Sequence, residues 1–287
     1  MSATLEPLSS ADELPTSGEV LGQAGSENFP VAMRALGARA ARHLMSIYGF
    51  SRLVDDVGDE AVGNRSALLD RIDREIEAIF SSGTPEHPLM RELADTVREC
   101  SLPRRPLERL VEANRQDQRV TRYESFEDLM GYCQLSAAPV GEMVLHVFGK
   151  ATAECIALSD LVCAGLQVLE HLQDVVEDHR RGRVYLPQED LRRFGCSEPD
   201  LDRSPASPEL RAVIAFEADR AAALLEAGPS LTSTLSGRGR LAVAGFVAGG
   251  RTALHALQRN GYDVSRPRAD AGRLAFAASF AAAVSGR

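Results

Sequence analysis

Two pairs of aspartates with helical spacing are the residues of this chain best suited to chemistry. The first pair is Asp55 and Asp59, and the second is Asp174 and Asp178. Residues i and i+4 lie on one face of an α-helix, so each pair would place two carboxylates side by side, where they repel. A cation between them removes this repulsion, and Mg²⁺ prefers carboxylate oxygens while keeping room for substrate phosphates. Two such pairs facing each other would hold several Mg²⁺ ions, an arrangement that suits the departure of a diphosphate.

The helix predicted around the first pair has two contrasting faces. Tyr48 and Arg52 share a narrow stripe with Asp55 and Asp59, whereas the opposite face is apolar. An amphipathic surface helix with a solvated acidic face would show the same pattern. The first pair alone therefore does not distinguish a metal site from an ordinary surface helix.

The helix predicted around the second pair is apolar over most of its circumference, which indicates a buried helix. One polar stripe runs along it, and this stripe comprises Gln167, Glu170, Asp174 and Asp178. Unpaired carboxylates are costly to bury, so they become protonated or bind cations. A metal-lined cavity explains the stripe better than a surface does. His171, beside the stripe, is expected to pack or to form a hydrogen bond rather than to act as a base.

Three arginines and a tyrosine lie shortly after the second aspartate pair. Arg180 and Arg181 are expected to interact with the C-terminus of the helix. Arg183 and Tyr185 lie beyond this end, where the chain could fold back over the site. An arginine in that place binds diphosphate oxygens through two parallel hydrogen bonds.

Composition excludes several classes of protein. The chain has 287 residues, enough for one large domain, with 44% hydrophobic and 25% charged residues. It has no tryptophan and a net charge of −9, which disfavours nucleic-acid binding. Its one lysine, Lys150, is not part of a Walker loop, and the Gly237–Ala242 segment follows no strand as a dinucleotide motif would. Five cysteines without Cys-x-x-Cys spacing indicate reduced thiols in a cytoplasmic protein.

Apolar periodicity predicts helices over most of the chain, after a flexible tail of residues 1–25. No uninterrupted apolar run approaches the roughly 18 residues needed to span a bilayer. The segment Leu274–Val284 is uncharged and is either a last packed helix or a surface that touches a membrane. The predicted long helices are Val31–Ala61, Arg65–Phe80, Pro88–Cys100, Pro106–Tyr123, Phe126–Phe148, Thr152–Arg180, Pro208–Ala227 and Arg238–Asn260. No alternating strand pattern is present, so the fold is predicted to be all-α.

Several of these segments resemble the squalene/phytoene synthase family of head-to-head prenyl transferases, over about residues 26 to 263. The matching segments are Tyr48–Glu60, Tyr132–Cys133, Pro139–Gly141, Asp174–Asp178 and Gly182–Pro187. The resemblance implies a single all-α domain of the isoprenoid synthase type at residues 26–287. Its helices would surround a deep central cavity with the acidic pairs at the mouth.

Within the family, Glu27–Ala32 and Ser136–Gly141 look most like the branch that acts in bacterial hopanoid biosynthesis. The resemblance implies presqualene diphosphate as substrate, with ionisation, rearrangement and capture of water to give hydroxysqualene and diphosphate. No NADPH is expected. The enzyme that makes presqualene diphosphate is an expected partner, and a peripheral contact with the inner face of the membrane would serve product release.

The resemblance also implies roles for individual residues. Asp55, Asp59, Asp174 and Asp178 would be the catalytic residues and would hold Mg²⁺, or Mn²⁺ in its place, with Glu170 as a further ligand. The substrate-binding residues would be Asn28, Tyr48, Arg52, Gln167, Arg183 and Tyr185.

Three positions depart from the family pattern. Glu170 replaces the usual asparagine, Gln173 an arginine, and Gly250 a tyrosine common in the last long helix. These differences fit a specialised branch that handles one diphosphate.

Three alternatives remain open. The first is a condensing synthase of the phytoene or dehydrosqualene type, and the second is a squalene synthase that uses a nicotinamide reductant. The third is a catalytically silent relative that serves as an assembly protein, although such a relative has little reason to retain costly buried carboxylates.

Overall fold

A computed structural model describes residues 14–22, 36–81, 83–265 and 273–285, which are almost entirely helical. In chain order the helices are α1 (Ser17–Gly22), α2 (Ala38–Asp59), α3 (Arg65–Phe80), α4 (Pro88–Cys100), α5 (Arg105–Asp117), α6 (Phe126–Ser136), α7 (Ala138–Val147), α8 (Ala153–Arg180), α9 (Gln188–Arg193), α10 (Pro208–Leu225), α11 (Ala227–Thr234), α12 (Gly237–Arg259) and α13 (Arg273–Val284). In these residues β-pairing is limited to one isolated parallel bridge, between Arg122 and Val184. The prediction of an all-α fold is confirmed.

The described residues form two compact units, residues 1–119 and residues 120–287. In the first unit α2 packs against α1, α3, α4 and α5. Its buried face includes Phe50, Leu53, Val54 and Val57, the apolar face predicted from the sequence. This packing leaves the opposite face of α2 to carry the first aspartate pair. The prediction of a single domain from residue 26 onward stays a prediction.

Part of the segment predicted to be flexible is ordered. Ser17–Gly22 forms helix α1, and the side chain of Val20 is fully buried. The helix begins with reciprocal hydrogen bonds, because the backbone N–H of Thr16 donates to Glu19 and the Glu19 N–H donates to the Thr16 hydroxyl. A six-residue helix is too short for the periodicity that identifies longer ones, so the sequence analysis missed it.

In the second unit α8 is the central helix. It packs against α6, α7, α10, α11 and α12. Two glycines allow neighbouring helices to approach it closely. A Cβ atom at Gly141 would lie 2.4 Å from the Ser159 hydroxyl, and one at Gly250 would lie 2.6 Å from a methyl group of Leu166. Larger residues at these positions would require these neighbouring side chains, or the helices that carry them, to shift.

Helix α8 is also long and apolar enough to cross a membrane, judged by length and composition alone. Half of its most apolar stretch is buried inside the protein, as in the core helix of a compact unit. The search for uninterrupted apolar runs did not indicate this, because isolated polar residues divide the stretch. The burial of α8 accounts for its apolar character.

One predicted helix is divided in the structure, and another ends two residues before its predicted end. The predicted Phe126–Phe148 helix is divided into α6 and α7 at Ala137, because Pro139 occupies the first turn of α7 and cannot continue a preceding helix. The predicted Pro208–Ala227 helix ends at Leu225, and α11 begins two residues later. The segment predicted at Leu274–Val284 is part of α13, which packs on α11 and α12.

A buried acidic pair joins α9 to α10. Arg220 donates to Asp190 at 2.6 Å and to Glu217 at 2.9 Å, and its guanidinium lies 4.5 Å from the ring centre of Phe126. Burial and the nearby Asp190 carboxyl raise the pKa of Glu217 to about 8. Glu217 therefore retains a proton at neutral pH in the folded protein.

This raised pKa predicts a loss of stability as the pH rises. The unfolded chain releases the Glu217 proton near its ordinary pKa of 4.5, whereas the folded protein releases it near 8. The free energy of unfolding should therefore decline across this interval. Glu217→Gln should flatten the decline, measured as the melting temperature between about pH 5 and 8. The exposed Asp219→Asn on the same helix is the matched control. Identical pH profiles for Glu217→Gln and the unmodified protein would contradict the assignment.

Candidate functional site

The first aspartate pair lies in the last turns of α2. Asp55 is exposed and Asp59 is half-buried. Arg52 forms an ion pair with Asp56, with 2.9 Å between Nε and Oδ1. Burial raises the pKa of Asp56, and the charge of Arg52 opposes this shift. The ion pair holds the Arg52 side chain against α2, the helix that carries Asp55 and Asp59. Tyr48 lies one turn before Arg52 and is half-buried.

Asn114 of α5 contacts this pair directly. Its buried amide donates to Asp55 Oδ1 at 3.1 Å and to the Leu110 carbonyl at 3.3 Å. A Cβ atom at position 58 would lie 1.9 Å from Asn114 Oδ1, so only glycine leaves room for the amide. Gln118 supports the same contact by donating to the Gly58 carbonyl at 2.9 Å. Asn114 thus orients one oxygen of Asp55.

Asn114 was not among the site residues predicted from the sequence, although its position carries a signal. Leu107, Leu110 and Val111 form the buried face of α5, and Asn114 continues that face by helical spacing. A polar side chain in an apolar stripe needs a hydrogen-bond partner, because an unsatisfied buried amide is costly. The partner is Asp55, which the sequence alone does not reveal.

The second aspartate pair lies in the last turns of α8. Gln167, Asp174 and Asp178 are half-buried, whereas Glu170 is exposed. The prediction that the polar stripe is buried is therefore wrong for Glu170. The buried side of α8 is formed by residues such as Val168, Leu169, Leu172 and Val175, and Glu170 does not belong to that side.

His171 packs among aromatic side chains in the second unit, as expected from the sequence. Its ring stacks on Tyr185, with 3.8 Å between ring centres and 10° between planes. Tyr132 lies 6.1 Å from His171 and 5.5 Å from Tyr123, and Tyr123 stacks on Tyr185 at 5.7 Å. The imidazole Nε2 lies 3.2 Å from the amide nitrogen of Gln167, and Nδ1 lies 3.9 Å from Asp178 Oδ2.

The chain after α8 folds back along this cluster. Gly182, with φ of +84°, begins the turn, and the Arg183 N–H donates to the Asp178 carbonyl at 2.8 Å. The returning segment pairs with residues 121–124, through Val184 N–H to the Thr121 carbonyl and Gln188 N–H to the Tyr123 carbonyl, both at 2.9 Å. This pairing brings Tyr185 onto His171, while the Arg183 side chain is half-buried.

The two arginines at the end of α8 contact acidic side chains. Arg181 pairs with Glu177 at 2.9 Å, and Arg180 lies 3.8 Å from Asp202. Both are exposed, so these pairs contribute little to stability. Their proposed interaction with the helix terminus stays a prediction.

Oxygen donors dominate the candidate metal ligands. The carboxylates of Asp55, Asp59, Asp174 and Asp178 are partly or fully accessible to solvent, which suits a hard cation such as Mg²⁺. Within the described ranges, no group of three or more His, Cys, Asp or Glu side chains is arranged to hold a metal ion. Asp55 and Asp59 belong to the first unit, and Asp174 and Asp178 belong to the second. Asn28 lies outside the described residues.

The cysteines do not supply alternative ligands or nucleophiles. All five cysteines are free thiols. Burial raises the pKa of Cys133 to about 12 and that of Cys163 to about 11, so both remain neutral at physiological pH. A neutral buried thiol is a poor nucleophile and a poor metal ligand. The chemistry therefore rests on the carboxylates and their neighbours.

Comparison with known proteins identifies the family. Residues 23–275 match the family model described as squalene/phytoene synthase. The chain belongs to this family of prenyl transferases, which act on prenyl diphosphates and generally use a divalent metal such as Mg²⁺. Its helical fold is that of the isoprenoid synthases.

Individual relatives show how close this similarity is. The chain is 35% identical to a hydroxysqualene synthase of Rhodopseudomonas palustris, over 73% of this chain and 71% of that protein. It is 33% identical to a 15-cis-phytoene synthase of Synechococcus elongatus, over 79% and 78% of the two chains. The crystal structure of squalene synthase HpnC from Alicyclobacillus acidocaldarius has a TM-score of 0.79 and 40% identity, covering 85% of this chain and 92% of that one.

The hydrogen bond from Asn114 to Asp55 predicts a functional cost when it is removed. Asn114→Leu keeps the volume but loses the donor, so turnover should fall by about 10-fold or more, as for other groups that orient a metal ligand. Gly58→Ala should have a similar effect, because its methyl group would displace the Asn114 amide. Steady-state rates across a Mg²⁺ titration measure both effects, and circular dichroism checks the fold. A well-folded Asn114→Leu protein with an unchanged rate and Mg²⁺ requirement would contradict this role.

Proposed function

We propose that this protein is a Mg²⁺-dependent hydroxysqualene synthase that acts on presqualene diphosphate. The observation that carries the proposal is its 35% identity to the Rhodopseudomonas palustris hydroxysqualene synthase. The departures at Glu170 and Gln173 support it, since condensing relatives usually have asparagine and arginine there. Both aspartate pairs of the family signatures are present.

The reaction exchanges one carbon–oxygen bond for another. The bond between carbon and the diphosphate oxygen breaks, which leaves a cyclopropylcarbinyl cation that rearranges. A water molecule then forms the new carbon–oxygen bond and loses a proton, which gives hydroxysqualene. The reaction needs no reductant, because presqualene diphosphate and water together supply all the atoms of hydroxysqualene and diphosphate.

The residues of the chain have separate tasks in this reaction. Asp55, Asp59, Asp174 and Asp178 would hold Mg²⁺ against the diphosphate, with Glu170 as an additional ligand from the exposed side of α8. The bound Mg²⁺ supplies positive charge that neutralises the leaving diphosphate.

Neighbouring side chains would bind the rest of the diphosphate. Tyr48, Arg52 and Arg183 would contact its oxygens, with Arg52 held in place by Asp56. Gln167 and Tyr185 would position the substrate near the second aspartate pair, and Asn28 would contribute to binding. Apolar side chains would shield the cation from premature attack by water.

The cellular context of the reaction belongs to the same proposal. Substrate and product both carry a large apolar hydrocarbon, so the protein would act in the cytoplasm with a peripheral contact at the inner face of the membrane. The enzyme that makes presqualene diphosphate would be its partner. Under this proposal the protein would act in hopanoid biosynthesis.

A condensing synthase is the second candidate. The 33% identity to a 15-cis-phytoene synthase, over 79% of this chain, favours it. Such an enzyme would join two prenyl diphosphates head to head before the second diphosphate leaves. The two functions differ in which diphosphate substrate is turned over, so product analysis separates them.

The aspartate pairs predict a strong dependence on metal and on each carboxylate. Asp55→Asn and Asp174→Asn should each lower turnover by at least roughly 100-fold, the effect of removing one electrostatic element of a site. Exhaustive chelation should abolish turnover in the unmodified protein, and added Mg²⁺ or Mn²⁺ should restore it. Asp219→Asn, an exposed aspartate of α10, is the matched control and should retain full activity. Near-full activity of either site variant would identify its pair as a surface acidic cluster.

The proposed reaction predicts a specific product. Presqualene diphosphate without reductant should give hydroxysqualene and inorganic diphosphate, and reaction in ¹⁸O-water should label the alcohol oxygen. Addition of NADPH should leave the product ratio unchanged. Mass spectrometry of the extracted products measures each result. Rapid conversion of farnesyl diphosphate to a C30 hydrocarbon, or diversion to squalene by NADPH, would favour a condensing synthase instead.

A further inference from the structure

His171 of α8 occupies a position that neither the sequence signatures nor the proposed reaction explains. It is buried, and it contacts two residues of the candidate site on the same helix. Gln167 lies one turn before it, and Asp178 lies two turns after it. The ring nitrogens face these two residues at 3.2 Å and 3.9 Å respectively.

The partners of His171 determine which ring nitrogen carries the proton. The nitrogen of the Gln167 side-chain amide can only donate, so Nε2 of His171 accepts this hydrogen bond. A neutral imidazole that accepts at Nε2 carries its proton at Nδ1. This Nδ1–H faces Asp178 Oδ2 at 3.9 Å, which is beyond hydrogen-bond distance, and a small movement of the carboxylate would close the gap.

Tyr185 holds the plane of the imidazole. The two rings are almost parallel, 10° apart, at a centre-to-centre distance of 3.8 Å. Tyr185 is itself fixed on its other side by Tyr123, and the backbone pairing of Val184 with Thr121 fixes its position along the chain. The ring of His171 therefore has little freedom to rotate away from Asp178.

We propose that His171 is a positioning residue that fixes the carboxylate of Asp178 for a divalent metal ion, through its Nδ1–H and with Gln167 and Tyr185 setting its tautomer and plane. The inference rests on the proposed function only in treating Asp178 as a metal ligand. Groups that orient metal ligands change metal affinity or activity by 10–100-fold when they are removed. His171 thereby links the returning segment at Tyr185 to the second aspartate pair.

The first experiment tests the tautomer without metal or substrate. Long-range ¹H–¹⁵N spectra of the full-length protein labelled with ¹⁵N-histidine distinguish Nδ1–H from Nε2–H imidazole. The spectrum should show Nδ1–H for His171, assigned by its absence in His171→Phe. Gln167→Leu should weaken this preference, while the exposed His255 should keep its signal. An Nε2–H tautomer at His171 in the unmodified protein would overturn the inference.

The second experiment measures Mn²⁺ binding by electron paramagnetic resonance in the presence of inorganic diphosphate. His171→Phe retains an aromatic ring against Tyr185 but has no donor, and it should weaken Mn²⁺ binding by about 10-fold. His171→Asn places an amide N–H near the position of Nδ1 and should recover part of the affinity. His255→Phe is the matched control and should bind Mn²⁺ like the unmodified protein. Thermal unfolding verifies that each variant is folded.

The outcomes separate this inference from the proposed function. Equal Mn²⁺ affinity in the unmodified protein and His171→Phe would overturn the role of His171 and leave the proposed function intact. Equal weakening in the phenylalanine and asparagine variants would show that the donor is not responsible, and would also overturn it. Absence of Mn²⁺ binding in the unmodified protein would refute the proposed metal-dependent function together with the inference.

Discussion

The surface of helix α8 serves both for packing against other helices and for carrying site residues. The arrangement of the second unit depends on how these two uses are divided along the helix. Its apolar residues pack against five other helices, while its polar residues provide the second aspartate pair. An α-helix has only 3.6 residues per turn, so each side chain that points into the site is one fewer side chain that can pack against a neighbouring helix. Glycines at positions 141 and 250 let α7 and α12 lie close to α8, against Ser159 and Leu166 respectively.

The backbone after α8 shows how a non-helical segment supports this arrangement. The backbone N–H groups of Val184, Gln188 and Glu189 donate to the carbonyls of residues 121, 123 and 124, which satisfies polar groups that a loop would otherwise expose or leave unpaired. The pairing also sets where Tyr185 lies. The backbone pairing between these two segments thus determines how Tyr185 stacks on His171. His171 in turn lies two helical turns before Asp178.

The sequence predicted the helices well where periodicity was long and uninterrupted. Arg65–Phe80 and Pro88–Cys100 were predicted with the observed bounds, because each repeats apolar residues over several turns and begins with a clear signal. The division at Ala137 was missed because apolar spacing continues through it, although Pro139 marks it. For the site, spacing identified the aspartates, but it could not identify Asn114, whose partner Asp55 lies on another helix. The exposure of Glu170 could not be predicted either, because a helical wheel does not show which side of a helix its neighbours cover.

Gly250 of α12 matters in two ways, because it packs closely against α8 and because it is one of the three departures from the family pattern. The family resemblance implies a tyrosine at this position, whereas here a Cβ atom alone would lie 2.6 Å from a methyl group of Leu166 and 3.0 Å from one of Leu225. A phenol ring would therefore require the side chains of Leu166 and Leu225, or the helices that carry them, to shift. The atoms nearest to this position are methyl groups of Leu166 and Leu225, which neither donate nor accept a hydrogen bond. Tyr132 and Tyr185 lie beside His171, and Tyr123 contacts both of these tyrosines, so the aromatic side chains against this part of α8 come from outside α12.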